Sequence, residues 1–276
     1  MIRHRSGAQV AAAAVLLIAA GLLFAVRLRS PGQPTLRPPP VPLPLRIAAA
    51  SDLRFALDEL TAGYRQTRPM VSARVTYGSS GTLYAQILNG APFDLFMSAD
   101  VEYPRQIAMR GLAVAGTEFT YAVGRLAVWV KTTSPLAPER SGMQLLADAR
   151  VRRVAMANPA TAPYGRAAEA AMRRANVYEH ARAKLVLGEN VAQALQFVQS
   201  GAADVGVIAL SLAVAPTVKD MGRYWPVPLD LYPRMEQGGI VLKTDAIDQA
   251  RAFRQYLLGD AARDVLERYG FYSSDH

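Results

Sequence analysis

A short apolar strand, a turn of small polar residues and a helix follow one another repeatedly along this chain. The clearest copy lies at 71–88, where an alternating strand (VSARVTY) leads through the turn 78–82 (GSSGT) into a helix. Similar copies flank it at 45–60 and 92–110. Because strands that alternate with helices usually pair in parallel, this order predicts an α/β architecture built on a parallel sheet.

The same scheme begins again near residue 152. Strands are predicted at 152–157, 184–188 and 204–209, and apolar residues at helical spacing indicate a helix at 191–199. The C-terminal part is expected to contain an extended segment at 224–229, a strand at 239–242, and helices at about 246–258 and 260–268.

A long β-prone run joins the two series. Residues 119–130 (FTYAVGRLAVWV) exceed a typical strand and are broken by Gly124, so we interpret them as a passage between two lobes. The first lobe is predicted to comprise residues 45–122 and 232–276, and the second lobe residues 123–231. Ligands of such sheets lie outside the carboxyl ends of the strands, so two facing lobes predict a cleft closed by a hinge motion.

The first 44 residues differ from the rest of the chain. Residues 1–30 begin with basic residues and contain an uncharged run at 10–26, which is typical of a secretory signal. Arginines follow that run, so an N-terminal membrane anchor at 10–26 is the alternative. Residues 31–44 are rich in proline and are predicted to form a semi-rigid linker. Either interpretation predicts export to the periplasm.

Composition and motifs argue against several functions. The chain has no cysteine, which excludes disulfides, cysteine-ligated metals and cysteine nucleophiles. The net charge of +9 is largely due to the N-terminus: beyond residue 44 there are 26 basic and 22 acidic residues, without the aromatic-interleaved basic run of nucleic-acid binders. The three histidines are scattered, and neither a GxSxG elbow nor a Walker A lysine occurs. We therefore expect neither an enzyme nor a bound cofactor.

Four turns between strands and helices are expected to meet at the cleft. They are Ser51-Asp52, 78–82, 162–165 and 189–191, and each offers backbone N–H groups at the start of a helix. Ser51, Ser80 and Tyr164 add hydroxyl groups, and no lysine or arginine stands out among these donors. Neutral donors of this kind suit a small, fully ionised oxyanion, whose hydration shell they can replace.

Five segments of the chain form a recognisable series, which spans residues 48–271. They are AAASDLRFAL at 48–57, YGSSGTLYAQILNGAPFDLFMSAD at 77–100, ANPATAPYGRAAEAAM at 157–172, GENVAQALQFVQSGAADVGVIALS at 188–211 and LERYGF at 266–271. In sequence, order and spacing they resemble the periplasmic molybdate-binding proteins of ABC transporters, the ModA family.

The resemblance implies a type II periplasmic-binding-protein fold, with two α/β lobes and a hinged ligand cleft. It implies a monomer that captures molybdate or tungstate by neutral hydrogen bonds and delivers it to an ABC transporter permease in the inner membrane. Matched by motif position, the ligand-binding residues are Ser51, Asp52, Ser80, Tyr164 and Val191. They would contact the oxygens of the oxyanion and would not be direct ligands of the metal.

Two positions depart from the pattern of the family. Some members carry an oxyanion-binding tyrosine where this chain has Ala209, whereas others, like this chain, carry it in the APYG turn as Tyr164. Asp52 would place a carboxylate near a dianion, so our hypothesis is that its side chain points away, as a helix cap or into the lobe. If it faces the cavity, a protonated oxyanion becomes the better ligand. A receptor or membrane-tethered sensor for sulfate or a phosphate-like anion is therefore the alternative.

Overall fold

The computed structural model describes residues 44–273. The predicted signal or anchor at 1–30, and all of the predicted linker except Pro44, lie outside the described residues. Within the described part, the strands form two five-stranded sheets, with the orders β2-β1-β3-β10-β4 and β7-β6-β8-β5-β9. The strands are β1 (Leu45–Ala50), β2 (Ala73–Gly78), β3 (Leu95–Ser98), β4 (Phe119–Gly124), β5 (Leu126–Lys131), β6 (Val154–Ala157), β7 (Leu185–Gly188), β8 (Val205–Ala209), β9 (Gly222–Pro226) and β10 (Met235–Val241).

Among residues 44–273, no helix is long and apolar enough to cross a membrane.

Helices follow most of the parallel strands. The α-helices are α1 (Arg54–Thr67), α2 (Ser80–Leu88), α3 (Glu102–Met109), α4 (Pro138–Ser141), α5 (Pro163–Arg174), α6 (Tyr178–Ala181), α7 (Val191–Gln199), α8 (Leu210–Ala213), α9 (Ile247–Leu257) and α10 (Asp260–Arg268). Short 3₁₀ helices occur at Ser51–Leu53, Gly142–Ala147, Arg182–Lys184 and Leu229–Leu231.

The predicted two-lobed α/β fold is confirmed, but both sheets are mixed rather than parallel. Strands β1, β2 and β3 pair in parallel, as do β6, β7 and β8. Strand β10 runs antiparallel to β3 and β4, and β5 runs antiparallel to β8 and β9. The reason is the path of the chain, because β5 and β10 begin beside the carboxyl ends of the parallel strands and therefore run in the opposite direction.

The predicted passage between the lobes is confirmed at residues 119–131. Strand β4 ends at Gly124 in the first sheet, and after Arg125 strand β5 begins in the second sheet. The return passage lies between β9 and β10, where the Tyr232 hydroxyl accepts a hydrogen bond from the Leu126 N–H at 3.2 Å. The chain thus crosses twice at neighbouring places, which is the connectivity that a hinge requires. The sequence limits of the two lobes stay a prediction.

The start of α1 corrects one expectation. A helix cap was one of the roles considered for the Asp52 side chain, but Ser51 and Asp52 form a 3₁₀ turn, and the helix begins at Arg54 without a side-chain cap. The helix is held instead by its apolar face, where Leu57 and Leu60 are fully buried. The side chains of Ser51 and Asp52 are therefore free for other partners.

Candidate functional site

A small cavity lies where the carboxyl ends of the parallel strands of both sheets meet. It has room for about one water-sized molecule, so it is too small for an organic substrate. All five predicted ligand-binding residues line it, whereas Ala209 does not. The lining residues are Ala50, Ser51, Asp52, Gly78, Ser79, Ser80, Ala99, Ala162, Pro163, Tyr164 and Val191.

Ser80 enters the cavity from the first turn of α2. The helix is capped by Ser79, whose Oγ accepts a hydrogen bond from the Thr82 N–H at 3.2 Å. Ser80 is buried, and its own Oγ accepts the N–H of Ala99 at 3.0 Å. With that acceptor position taken, the Ser80 hydroxyl has its proton left to donate.

Ser51 and Val191 meet at the start of α7. Asn190 caps this helix, because its Oδ1 accepts the N–H groups of Ala192 and Gln193, each at 3.1 Å. The Ala192 N–H also reaches the Ser51 Oγ at 3.4 Å, which joins the two lobes. As the first residue of the helix, Val191 has an N–H without an intrahelical acceptor, and it is available to an anion.

Tyr164 lies in the first turn of α5, directly after Pro163, and only 2 % of it is exposed. Its hydroxyl oxygen accepts a hydrogen bond from Gln237 Nε2 at 3.2 Å. Burial, followed by the charge of Asp52, raises the pKa of the Tyr164 hydroxyl well above its ordinary value. The hydroxyl therefore keeps its proton and can act as a donor.

Asp52 is buried, and its carboxylate faces Gln237. The Asp52 Oδ2 accepts a hydrogen bond from Gln237 Nε2 at 2.6 Å, whereas Oδ1 has no partner within the described residues. Burial raises the pKa of Asp52 to about 6, against the opposing hydrogen bonds of Gln237 and Tyr164. The hypothesis of a helix-capping side chain is wrong, and the carboxylate instead belongs to a buried network beside the cavity.

Gln237 is the residue that sequence reasoning missed. It lies on β10 with none of its surface exposed, and it links Asp52 from the first lobe to Tyr164 from the second. The predicted strand began only at residue 239, so Gln237 was left outside it. The available signal was a single uncharged polar residue next to an apolar strand, which indicates a buried hydrogen-bonding role only once its partners are known.

The lining residues share one electrostatic property. They include no lysine, arginine or histidine, and Asp52 is their single ionisable carboxyl group. No cluster of acidic, histidine or cysteine side chains that could hold a metal ion occurs among residues 44–273. The cavity therefore offers hydroxyl and backbone N–H donors, which can bind a small acceptor through their dipoles.

The lobes also touch at the rim of the cavity. The N–H of Gly81 on α2 donates to the Thr161 carbonyl oxygen of the second lobe at 2.9 Å. A Cβ atom at Gly81 would lie 2.6 Å from that oxygen, so glycine is required for this approach. Arg166 on α5 forms an ion pair with Asp100 of the first lobe, with Nη2 and Oδ2 2.6 Å apart. Gly81 thus serves the contact between the lobes.

Comparisons with known proteins point to one family. A family model described as "Bacterial extracellular solute-binding protein" matches residues 45–272. The molybdate-binding protein ModA of Rhodobacter capsulatus is 40 % identical over 200 residues, which are 71 % of this chain and 77 % of the relative. The periplasmic molybdate-binding protein of Azotobacter vinelandii has a similar structure, with a TM-score of 0.76 and 30 % identity over 82 % of this chain and 98 % of that chain.

A second solved structure extends the comparison. It is the substrate-binding domain of a putative molybdenum ABC transporter from Clostridium difficile, with a TM-score of 0.62 and 27 % identity. The match covers 83 % of this chain and 98 % of that chain.

Proposed function

Because the chain belongs to the bacterial extracellular solute-binding protein family, together with the ModA molybdate-binding proteins, we propose that it captures molybdate. The anion binds in the cleft between the lobes and is delivered to the permease of an ABC transporter. The protein acts in the periplasm as a monomeric carrier, and it performs no catalysis. Its N-terminal segment directs export, with residues 10–26 as an alternative tether to the inner membrane.

One observation carries this proposal. Donors from both lobes line one small cavity, and no basic side chain is among them. A dianion at this place would be held by the hydroxyls of Ser51, Ser80 and Tyr164 and by the Val191 N–H, together with the backbone of Asp52. Such fixed dipoles replace the hydration shell without a counter-charge. Tungstate has the same charge and tetrahedral shape, so we propose it as a second ligand.

Isothermal titration calorimetry of the purified protein tests the proposal with molybdate, tungstate, sulfate and phosphate. We expect tight binding of the first two anions only. The variant Ser80→Ala loses one hydrogen bond to a charged ligand and should raise the Kd for molybdate by about 10- to 100-fold. The matched control Ser200→Ala removes an exposed hydroxyl that donates to the Phe197 carbonyl oxygen and accepts the Ala202 N–H, and should leave the Kd unchanged.

A receptor for a protonated, phosphate-like oxyanion is the second candidate. It is favoured by the buried Asp52 Oδ1, which has no partner within residues 44–273 and could accept a proton-bearing oxygen of the ligand. In the same titrations, binding of phosphate without a response to molybdate would establish this alternative. Mass spectrometry of the mature N-terminus would separate a cleaved signal from a retained anchor.

A further inference from the structure

The proposed ligand contacts leave Gln237 without a role, although it is buried between two of them. Its Nε2 atom lies 2.6 Å from Asp52 Oδ2 and 3.2 Å from the Tyr164 hydroxyl oxygen. We infer that Gln237 is a positioning residue, which turns the Tyr164 hydroxyl into a hydrogen-bond donor toward the bound anion. This inference rests on the proposed function, because it concerns the same cavity.

The chemistry follows from how a hydroxyl group forms hydrogen bonds. A hydroxyl can donate one proton, and its oxygen can accept from other donors. A fully ionised oxyanion can only accept, so each hydroxyl that binds it must keep its proton for the ligand. A hydroxyl that already accepts an N–H from the protein has this orientation before the ligand arrives, which lowers the cost of binding.

Three of the four hydroxyls that line the cavity follow this rule, whereas the fourth, Ser79, donates its proton to Thr82 Oγ1 and is not a proposed ligand contact. Ser80 Oγ accepts the Ala99 N–H at 3.0 Å, and Ser51 Oγ accepts the Ala192 N–H at 3.4 Å. In both cases the donor belongs to the backbone. For Tyr164 the corresponding donor is the side-chain amide of Gln237. Gln237 therefore does for the tyrosine what the backbone does for the two serines.

Asp52 holds the amide of Gln237 in the required orientation. An amide NH₂ group has two protons, and here one of them points to the carboxylate and the other to the tyrosine oxygen. A reversed amide would place Gln237 Oε1 against the Asp52 carboxylate, where two acceptors would repel each other. Asp52 is also an acceptor for the Tyr164 proton, so a bound anion has to draw this proton away from the carboxylate. The carboxylate thus acts on the ligand through both Gln237 and Tyr164.

The contact also depends on how the lobes meet. Gln237 lies on β10 of the first sheet, whereas Tyr164 lies on α5, beside the second sheet. A Cβ atom at Gly124, in the passage between the sheets, would lie 2.5 Å from the Tyr164 hydroxyl and 2.6 Å from Gln237 Nε2. These two groups therefore occupy a tightly packed place next to the crossing.

A double-mutant cycle on the purified full chain tests this role, with calorimetric titration of sodium molybdate as the readout. Gln237→Met keeps the length of the side chain but removes both N–H donors, and Tyr164→Phe removes the hydroxyl. We expect each variant to raise the Kd about tenfold. The double variant should bind no more weakly than Tyr164→Phe alone, because Gln237 acts through the hydroxyl.

The controls separate positioning from folding. Gln144→Met removes an exposed amide that bonds to the Ala175 carbonyl oxygen, and should leave the Kd unchanged. If Gln237→Met shows no cooperative melting, Gln237→Asn replaces it, since the shorter amide cannot reach both partners. An unchanged Kd, fully additive losses in the cycle, or failure of both variants to fold would each overturn the inference. Failure of the wild-type protein to bind molybdate would instead overturn the proposed function.

Discussion

At the scale of single residues, the least ordinary feature is a buried carboxyl group beside a cavity for anions. Asp52 is 1 % exposed, and no basic side chain lines the cavity next to it. The groups that face it are the Gln237 amide from β10, the Tyr164 hydroxyl from α5 and the Tyr121 hydroxyl from β4. Burial, followed by the charge of Asp52, raises the pKa of Tyr121. None of the groups that face Asp52 carries a positive charge, so burial dominates and the pKa of Asp52 is raised.

The ionisation of Asp52 predicts a dependence of stability on pH. Its pKa is raised from 3.8 in the unfolded chain to about 6 in the folded protein, so the folded state holds the proton more tightly between these values. The stabilisation is complete below pH 3.8 and is lost as the pH rises through 6. Relative to Asp52→Asn, the free energy of unfolding of the wild type should fall by up to about 3 kcal/mol between pH 4 and pH 7.

Urea unfolding of both proteins without molybdate, at several pH values, measures this difference. The comparison with Asp52→Asn cancels the titration of the other groups, because the two chains share them. A constant difference between the two proteins across this range would show that Asp52 titrates as it does in the unfolded chain.

The residues of the cavity could be predicted to the extent that they lie in local patterns. Ser51, Ser80, Tyr164 and Val191 stand at the ends of strands or the starts of helices, and these places can be recognised from apolar spacing. Gln237 could not be found in this way, because its role depends on partners that are 73 and 185 positions away in the sequence. Contacts of this kind are produced by the packing of the lobes and leave no local periodicity.

At the scale of elements, the first turn of α2 carries two tasks. It presents Ser80 to the cavity, and through Gly81 it forms a backbone hydrogen bond with the second lobe. Gly81→Ala places a methyl group 2.6 Å from the Thr161 carbonyl oxygen, which keeps the lobes apart. We expect the Kd for molybdate to rise at least tenfold in calorimetric titration, while the cooperative melting of the ligand-free protein is retained.

Gly63→Ala is the matched control for this change. It adds the same methyl group to α1, where the nearest atom is the Tyr256 hydroxyl oxygen at 2.9 Å, at the end of a side chain that can move. The Kd of this control should equal that of the wild type. Wild-type affinity in Gly81→Ala would mean that the lobes can close around the ligand without this contact.

The rim of the cleft carries a second contact between the lobes, on α5. Arg166 pairs with Asp100, and both side chains are partly exposed, so the ion pair contributes at most about 1 kcal/mol. Arg166→Met should therefore increase the dissociation rate of molybdate only a few fold, and the difference should shrink at high salt. Stopped-flow measurement of ligand release at two salt concentrations provides the test.

The same helix provides the control for Arg166. Arg173 pairs with Glu169 four residues earlier, with Nη2 and Oε1 2.7 Å apart, so this ion pair remains within α5. Arg173→Met should change the stability of the helix slightly and leave the release rate of molybdate unaltered. Equal release rates in the wild type and Arg166→Met would show that the ion pair does not help to keep the cleft closed.

At the scale of the whole molecule, the two-lobed fold could be predicted from the sequence, whereas the direction of some of its strands could not. The alternation of strands and helices indicated two α/β lobes, and the broken run at 119–130 indicated where the chain passes between them. The antiparallel pairing of β5 and β10 was not predicted. The direction of a strand depends on the end of the sheet at which the chain enters it. That end is determined by the arrangement of both lobes rather than by any one segment.

The position of the cavity between two sheets predicts how the ligand stabilises the protein. Molybdate would contact donors of both lobes and bind only the folded chain, so at 100 times its Kd it should add about 2.7 kcal/mol to the free energy of unfolding. For a folded part of this size, the Tm should rise by roughly 5 to 11 °C. Because the anion bridges the lobes, they should unfold together, in one transition.

Differential scanning calorimetry with increasing sodium molybdate, and with sodium sulfate at equal ionic strength, measures this effect. The rise in Tm should follow the logarithm of the molybdate concentration above the Kd, whereas sulfate should leave the Tm unchanged. Ser80→Ala should need about 10- to 100-fold more molybdate for the same shift, in agreement with its weaker binding. A transition that splits in two as molybdate is added would place the ligand on one lobe and contradict a site formed by both.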